Sequence, residues 1–284
     1  FSAIPAIKLK KKFNTPIAML ELDLWPESLL AGNIKRNSIV YNYYKIVSRK
    51  IYKNCDLILC STREHIEYLR KLNVINNRIE YLPQYAEEQF NDVVSNVNCD
   101  NNLNFVFAGN VGKAQSVETI IKTANLLKNR NDIFFHIIGS GSSLENVKEL
   151  SENFNLQNVK FYGQLPIEEM PKYYSMADAM LVTLENKPYA NITIPGKIQS
   201  YLAAGKAILG AASGSTNSLV NDFFVGKCCE AEDFIELANI ISKCTKDDFC
   251  KWGKSSKELY AKEFNKESFF TKLEFYLGGL KCLK

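Results

Sequence analysis

A Pro-Gly-Lys turn is the first group of residues whose types and spacing could do chemistry. Pro195, Gly196 and Lys197 stand at the head of an amphipathic run that ends at Gly205. A proline in the first helical turn loses no hydrogen bond, the unpaired amides and the helix dipole attract anions, and a lysine adds positive charge. The turn is therefore predicted to bind a diphosphate, although an ordinary connection between a loop, a helix and a strand fits the same residues.

A second turn that could bind a phosphate follows an apolar run and contains Gly109, Gly112 and Lys113. Glycines allow backbone amides to approach a phosphate, and the lysine could neutralise it. The turn is not a Walker A loop, because Phe107 and Ala114 stand where that motif needs glycine and a magnesium-binding hydroxyl. A nucleoside triphosphatase is therefore disfavoured.

Two more turns of this kind join a predicted strand to a predicted helix. The first carries Gly139 and Gly141, and a helix-capping turn with Ser142 or Ser143 as the cap explains it equally well. The second carries Gln164 and Leu165, whose backbone groups could read a flat base. Because ligands of open α/β sheets bind at the carboxyl ends of the strands, we expect all four turns to meet at one crevice.

Acidic residues beside a Trp-Pro turn form the candidate site of the N-terminal region. Asp23 and Glu27 follow a predicted strand directly, and strand ends are frequent places for catalytic groups. Either carboxylate could orient a sugar hydroxyl or act as a base, and Trp25 could stack on a sugar ring. The alternative is that Trp25 packs under the loop while Glu27 and Ser28 start a helix.

The histidines and cysteines carry no pattern that is typical of a metal site. His65 and His136 have no partner at ligand spacing, which favours structural roles. Several of the eight cysteines lie in apolar runs and none form paired metal-ligand motifs, so we expect buried free thiols in a reducing compartment.

Composition indicates a soluble globular protein, with 46% hydrophobic and 23% charged residues among 284. A net charge of +4 without a basic groove pattern excludes a typical nucleic-acid binder. No apolar run could span a bilayer and no signal-peptide pattern opens the chain, so a cytoplasmic location is expected. Lysines near the start could rest on an anionic membrane at its inner face, or form a solvated loop face: Lys8, Lys10, Lys11 and Lys12.

Strand-like apolar runs alternate with helical patterns, which predicts parallel sheets covered by helices. The predicted strands are 17–21, 56–60, 79–82, 104–108, 133–138, 159–162, 179–182 and 207–209. The predicted helices are 38–53, 62–71, 116–128, 142–153, 166–174, 194–204, 246–262 and 266–277. A polar stretch at 87–102 reads as a linker. The region before it holds too few elements for a whole doubly wound domain, and the chain opens on Phe1, so an N-terminal half-domain is expected to be missing.

Taken together, several segments resemble the retaining family 4 glycosyltransferases, and within them the bacterial O-antigen and capsule subgroup of fucosaminyltransferase-like enzymes. The segments are 23–28, 109–115, 158–163, 177–179 and 194–206, with the sequence Asp-Leu-Trp-Pro-Glu-Ser in the first. The resemblance implies a GT-B fold, which pairs two Rossmann-like doubly wound domains, here with the N-terminal one incomplete. It divides the chain into an acceptor-side domain at 1–95, a nucleotide-sugar domain at 96–265, and a last helix at 266–284 that crosses back to the first domain.

The residues also depart from the wider family at two places. An Arg and a Lys that hold the diphosphate there correspond to Asn110 and Gln115, and two glutamates correspond to positions near Ile192 and at Ser200. The resemblance therefore leaves Lys197 as the expected diphosphate ligand and places Gln199 or Ser200 near the ribose. The candidate donor-binding residues are Gly109, Asn110, Gly112, Lys113, Gln115, Gly139, Gly141, Gln164, Leu165, Ile194, Pro195, Gly196, Lys197, Gln199 and Ser200.

The implied reaction is transfer of a sugar, expected to be N-acetylated, from a UDP-sugar to a lipid-linked saccharide, with retention of configuration. The resemblance implies no metal and no cofactor, with Asp23 and Glu27 as the candidate catalytic residues. Two alternatives stay open. One is a UDP-sugar 2-epimerase, which shares the fold but needs acid/base carboxylates and a histidine. The other is a non-catalytic subunit that binds sugar nucleotides.

Overall fold

Two parallel β-sheets, one in each of two units, organise the chain. The computed structural model describes residues 3–32, 34–72, 78–93 and 102–280. Unit 1 comprises Phe1–Gln84, Ile192–Ile194 and Lys266–Lys284, and unit 2 comprises Tyr85–Asn191 and Pro195–Asn265. Within the described ranges, no helix is long and apolar enough to cross a membrane.

The elements alternate along the chain as the sequence predicts. The strands are β1 (Ala18–Glu21), β2 (Leu57–Cys60), β3 (Arg78–Tyr81), β4 (Leu103–Ala108), β5 (Ile133–Ile138), β6 (Val159–Gly163), β7 (Ala179–Thr183), β8 (Ala207–Ala211) and β9 (Gly226–Cys229). The helices are α1 (Ala3–Phe13), α2 (Ile39–Asn54), α3 (Arg63–Lys71), α4 (Val117–Leu126), α5 (Leu144–Asn153), α6 (Met170–Met176), α7 (Lys197–Ala203), α8 (Ser215–Asp222), α9 (Phe234–Lys243), α10 (Lys246–Leu259) and α11 (Lys266–Gly278).

Unit 1 is built on a three-stranded sheet in the order β1-β2-β3, with both strand pairs parallel. The central strand β2 is buried along its whole length. Helix α11, at the far end of the chain, belongs to this unit: the Tyr276 hydroxyl donates to the Tyr81 carbonyl at 3.4 Å, and the Arg78 guanidinium lies over the Tyr276 ring. Tyr276 of α11 thus contacts residues of β3.

Unit 2 has a six-stranded parallel sheet in the order β6-β5-β4-β7-β8-β9. Its core contains fully buried Phe105, Phe107 and Phe135 from β4 and β5, packed against Ile120 and Ile121 of α4. Strands buried on both faces read as continuous apolar runs, which is why β4, β5 and β7 are evident from the sequence. Because β6, β5 and β4 are neighbours and parallel, the loops after them lie side by side.

Several elements differ from the sequence predictions. The lysine-rich start is helix α1 rather than a loop face, because Ile7 packs into the unit 1 core and Lys10 pairs with Asp56 at 2.6 Å. The elements α8, β9 and α9 were not predicted. For α9 a signal was present, since the Asp233 side chain accepts a hydrogen bond from the Glu236 amide and caps the helix. Strand β9 has no alternating pattern and forms by pairing with β8.

The cysteine prediction is confirmed for five residues and wrong for one. The buried free cysteines are Cys55, Cys60, Cys228, Cys229 and Cys244, whereas Cys250 is a free thiol exposed on α10. Burial raises the pKa of the Cys55 thiol to about 11, which keeps that thiol protonated and unreactive. Cys99 and Cys282, and much of the predicted linker, lie outside the described residues.

Candidate functional site

A cavity of about 490 Å3 opens at the carboxyl ends of β4, β5 and β6, and we call it the sheet-edge cavity. It lies entirely within unit 2. Of the residues that the sequence singles out, it brings together Gly109, Asn110, Gly139, Gln164, Leu165, Gly196, Lys197 and Ser200. Four chemically promising turns therefore converge on one space, as the rule for parallel sheets predicts.

The glycines of the first two turns are needed because their backbones approach each other closely. Gly109 and Gly139 have φ values of +139° and +138°, which L side chains rarely adopt. A Cβ atom on Gly139 would stand 1.8 Å from the Gly109 carbonyl oxygen. The Gly139 amide in turn donates to the Gly163 carbonyl at 2.7 Å, so the three loops are joined edge to edge.

Lys197 is the most unusual side chain of the cavity. Its ammonium lies over the Phe107 ring, 3.7 Å from the centroid, and the buried Nζ atom has no hydrogen-bond partner among the described residues. Burial lowers the pKa of Lys197 to about 7. A buried cation without an anion is costly, so this position favours a negatively charged ligand.

The turn before α7 is held by Gln199 and Ser200. In the amide orientation that satisfies its neighbours, the buried Gln199 nitrogen donates to the Pro195 and Gly196 carbonyl oxygens at 3.2 and 2.8 Å. The Ser200 hydroxyl donates to the Lys197 carbonyl at 2.8 Å. These bonds orient the turn, and Gln199 itself does not line the cavity.

Helix α7 begins at Lys197 with Gly196 as its N-cap residue, so the prediction of a helix from Ile194 was wrong by one turn. The preceding residues instead form the turn that Gln199 holds. With only seven residues, α7 offers a weaker dipole than the predicted helix. The charge of Lys197 is therefore the larger electrostatic feature of this turn.

The remaining predicted donor-binding residues do not line the cavity: Gly112, Lys113, Gln115, Gly141, Ile194, Pro195 and Gln199. Lys113 is exposed. Burial raises the pKa of the Glu185 carboxyl, and the positive charge of Lys113 offsets part of this shift. Gly141 serves loop packing, since a Cβ there would come within 2.5 Å of the Val111 backbone. Ile194 belongs to unit 1.

Sequence reasoning missed part of the cavity wall. Glu87 and Phe90 come from the stretch that was read as a linker, and Tyr174 comes from α6. Phe90 stacks on Tyr174 with 4.8 Å between ring centroids, and the Tyr174 hydroxyl is 3.0 Å from Ser200 Oγ. The aromatic character of Phe90 within a polar stretch was the only available signal.

In unit 1, Glu27 is buried and its carboxylate is fully engaged. It accepts hydrogen bonds from Tyr41 at 2.8 Å and Tyr68 at 2.7 Å, and it pairs with Arg36 at 2.7 Å. Burial raises the pKa of the Tyr41 phenol to about 12, and the bond to Glu27 adds to the shift. Glu27 also begins a short 3-10 helix. These contacts make the Glu27 carboxylate an anchor of the loop, and its catalytic role stays a prediction.

Asp23 and Trp25 remain accessible. Asp23 is exposed at the carboxyl end of β1 and lines a cavity of about 320 Å3 within unit 1 together with Trp25. The Trp25 ring lies 5.3 Å from the Tyr44 ring and is 38% exposed, so it does not pack under the loop. The Tyr52 hydroxyl donates to the Trp25 carbonyl and fixes the turn.

Both histidines make contacts with other side chains of the protein. His65 Nδ1 lies 2.8 Å from the Glu21 carboxylate, and both side chains are buried. His136 contacts the Tyr162 hydroxyl at 2.8 Å and Asn104 Oδ1 at 3.0 Å. Burial, with a smaller effect of Lys160, lowers the pKa of His136 to about 4, so this imidazole is neutral at physiological pH.

The sequence of the chain is similar to those of two glycosyltransferases. The chain is 27% identical to the probable glycosyltransferase WbjE of Pseudomonas aeruginosa over 250 residues, which are 84% of this chain and 60% of that protein. It is 26% identical to TuaH of Bacillus subtilis, a glycosyltransferase named for teichuronic acid biosynthesis, over 205 residues or 69% of this chain and 50% of that one. The chain thus spans about 60% or less of the length of these relatives.

Solved structures agree on the fold. Anabaena Alr3699/HepE, crystallised with UDP, superposes with a TM-score of 0.80 at 13% identity, covering 98% of this chain and 76% of that one. The architecture is the α/β GT-B fold that the sequence predicts. The sequence profile of the family described as glycosyl transferases group 1 matches residues 89–264, more than half of the chain and nearly all of unit 2. The chain therefore belongs to the glycosyl transferases group 1 family.

Proposed function

We propose that this chain binds a UDP-sugar in the sheet-edge cavity and transfers the sugar, with retention, to a lipid-linked saccharide during surface-polysaccharide synthesis. The sugar is proposed to be N-acetylated. The observation that carries the proposal is Lys197, whose buried ammonium has no hydrogen-bond partner among the described residues and faces a cavity bordered by glycine turns.

The cavity offers two kinds of chemistry. Lys197 lies against Gly109, within about 3.2 Å of where a Cβ of that glycine would be, so the cation lies beside a glycine turn. Gln164 and Leu165 stand after β6, and the Ser140 hydroxyl donates to Gln164 Oε1 at 3.0 Å. A diphosphate suits the lysine and the glycine turn, and a base suits the turn after β6. Lys197 would stabilise the charge that develops on the departing UDP, without a divalent metal.

The acceptor is proposed from the relatives and from unit 1. TuaH is named for teichuronic acid biosynthesis, which supports a polysaccharide product. Asp23 is proposed to orient the acceptor hydroxyl. Lys8, Lys11 and Lys12 are exposed on α1 beside exposed Leu9 and Phe13, a combination that would suit an anionic membrane. Lys10 is excluded from this role because it pairs with Asp56.

Nucleotide binding is the first test. UDP and GDP are titrated into the 284-residue chain by isothermal titration calorimetry, with thermal unfolding measured in parallel. A ligand at 100 times its dissociation constant should stabilise the protein by about 2.7 kcal/mol. We expect a response to UDP. Absence of binding by either nucleotide or by their sugar conjugates would refute the donor-site assignment.

Product analysis separates transfer from its alternatives. The protein is incubated with UDP-N-acetylhexosamine and a bacterial lipid extract, with and without EDTA. Transfer gives free UDP and a glycosylated lipid in both cases, epimerisation gives an altered donor, and a binding subunit gives neither. Among the residues that line the sheet-edge cavity there is no histidine, which disfavours the epimerase.

Nucleotide binding is expected to take up a proton. Burial holds the pKa of Lys197 at about 7, so above pH 7 the free protein carries this amine mostly neutral, whereas a bound diphosphate favours the ammonium. At pH 8 we expect uptake of close to one proton, and affinity should fall as the pH rises from 7 to 9. Calorimetry in two buffers with different ionisation enthalpies measures the uptake. Binding at pH 8 without proton uptake would contradict this protonation state.

A further inference from the structure

The sheet-edge cavity contains one carboxylate that the proposed function has not used. Within the described part of the chain, Glu87 is the single acidic residue that lines it. A glutamate of the wider family corresponds to Ser200, a neutral hydroxyl that the resemblance places near the ribose. The cavity therefore lacks a carboxylate on α7 but has one from Glu87, in the turn before the 3-10 helix Glu88–Phe90.

The turn that carries Glu87 is held firmly against the cavity. The Glu87 carbonyl accepts the Phe90 amide at 3.2 Å and starts the 3-10 helix Glu88–Phe90. The Gln89 side chain donates to the Ile167 carbonyl at 2.7 Å. Phe90 is buried and stacks on Tyr174. Three contacts thus fix the position from which Glu87 extends.

Tyr174 connects this turn to position 200. Its hydroxyl is within hydrogen-bond distance of Ser200 Oγ, so Glu87, Tyr174 and Ser200 border the same part of the cavity. Burial raises the pKa of the Tyr174 phenol, and the negative charge of Glu87 raises it further, which places that charge close to the ring. The carboxylate is itself exposed and has no hydrogen-bond partner among the described residues.

We propose that Glu87 accepts hydrogen bonds from the ribose hydroxyls of the bound nucleotide, and so takes the part that a glutamate at position 200 would play. This inference rests on the proposed function, because it assumes a nucleotide in the sheet-edge cavity. A carboxylate accepts two hydroxyl hydrogen bonds at once, and charge-assisted bonds of this kind are short and strong. Glu87 would thereby select ribonucleotides over 2′-deoxyribonucleotides.

The test compares ribose with 2′-deoxyribose. UDP, 2′-deoxy-UDP, GDP and 2′-deoxy-GDP are titrated into the wild-type chain, Glu87→Gln and Glu88→Gln. The wild type is expected to prefer the ribonucleotide by about 10-fold or more, and Glu87→Gln should lose most of this preference by weakening ribonucleotide binding alone. Glu88→Gln changes the adjacent exposed residue, which does not line the cavity, and should behave as wild type.

The outcomes are distinguishable. If no nucleotide binds to the wild type, the proposed function fails and this inference fails with it. If a ribonucleotide binds but Glu87→Gln keeps the full preference for ribose, the role of Glu87 is overturned while the nucleotide site stands. Because Glu87 is exposed, its replacement should leave the melting temperature unchanged, and that is checked for each variant.

Discussion

Replacing Lys197 with methionine is expected to weaken nucleotide binding by about 30-fold or more while making the unliganded protein more stable. Methionine keeps the packing on the Phe107 ring but removes the buried, unpaired charge. The lost interaction with a diphosphate should cost about 2 to 4 kcal/mol, or roughly 30-fold to 1000-fold in affinity and turnover, as for the loss of one preorganised donor.

The stability gain has a defined pH dependence. Burial depresses the pKa of Lys197 from its ordinary value to about 7, so the unfolded chain binds more protons than the folded one between about pH 7 and the ordinary lysine pKa. Wild-type stability should therefore rise with pH over this window. The advantage of Lys197→Met should be largest below pH 7 and fade as the pH approaches 10.

The measurements are UDP titration and urea unfolding at pH 6, 7.5 and 9. Lys122→Met is the matched control, because Lys122 also lies over a phenylalanine ring, that of Phe234 at 5.9 Å, but outside the sheet-edge cavity. It should keep wild-type affinity. UDP binding by Lys197→Met within threefold of wild type would show that the ammonium does not hold the diphosphate.

Replacing Glu27 with alanine is expected to destabilise unit 1 by about 3 to 5 kcal/mol, because its buried hydrogen-bond donors would lose their acceptor. The change removes the acceptor of two phenol hydroxyls, from Tyr41 and Tyr68, and of the Arg36 guanidinium. Arg36 is largely exposed, so the two phenols account for most of the loss. Nucleotide binding should persist, because the sheet-edge cavity belongs to unit 2.

Fluorescence can report the two units separately. The chain has two tryptophans, Trp25 in unit 1 and Trp252 in unit 2. In a Trp252→Phe background, Trp25 emission during urea unfolding follows unit 1. Asp23→Asn is the control, since Asp23 is an exposed carboxylate of the same loop, and it should change the free energy of unfolding by about 0.5 kcal/mol or less.

The opposite result would support a catalytic role for Glu27. If Glu27→Gln unfolded at the wild-type urea concentration yet lost transferase activity, the carboxylate would be acting on substrate rather than on the loop. An unchanged midpoint for Glu27→Ala would likewise contradict the anchoring role. Either result is obtained from the same unfolding curves and the product assay.

Much of the fold is predictable from local pattern. The continuous apolar runs of β4, β5 and β7 mark strands buried on both faces, and the bounds of β5 agree with its prediction at both ends. Helix α1 and strand β9 were missed for a shared reason. Neither has a strong hydrophobic pattern of its own, and each is stabilised by contacts with other elements. Ile7 of α1 packs into the unit 1 core, and β9 pairs with β8.

The candidate site also has a part that the sequence predicts and a part that it does not. That the turns at Gly109, Gly139 and Gln164 would meet follows from the sequence, because parallel strands place their carboxyl ends at one edge. The burial of Lys197 against Phe107 does not follow, since 90 residues separate them and no periodicity relates them. The same holds for Glu87, whose surroundings no local pattern of the stretch that was read as a linker could specify.

By itself, the sequence determined the strand–helix alternation, the glycine turns and the lysine of the Pro-Gly-Lys turn, because backbone conformation and hydrophobic periodicity are local properties. Only the tertiary structure decided which charges stand unpaired and which are satisfied. The Lys197 ammonium is buried against the Phe107 ring and has no hydrogen-bond partner among the described residues. The buried Glu27 carboxylate instead accepts hydrogen bonds from three donors. Desolvation and hydrogen bonding depend on neighbours from distant parts of the chain, so two residues that look equally functional in sequence have opposite surroundings in the folded protein.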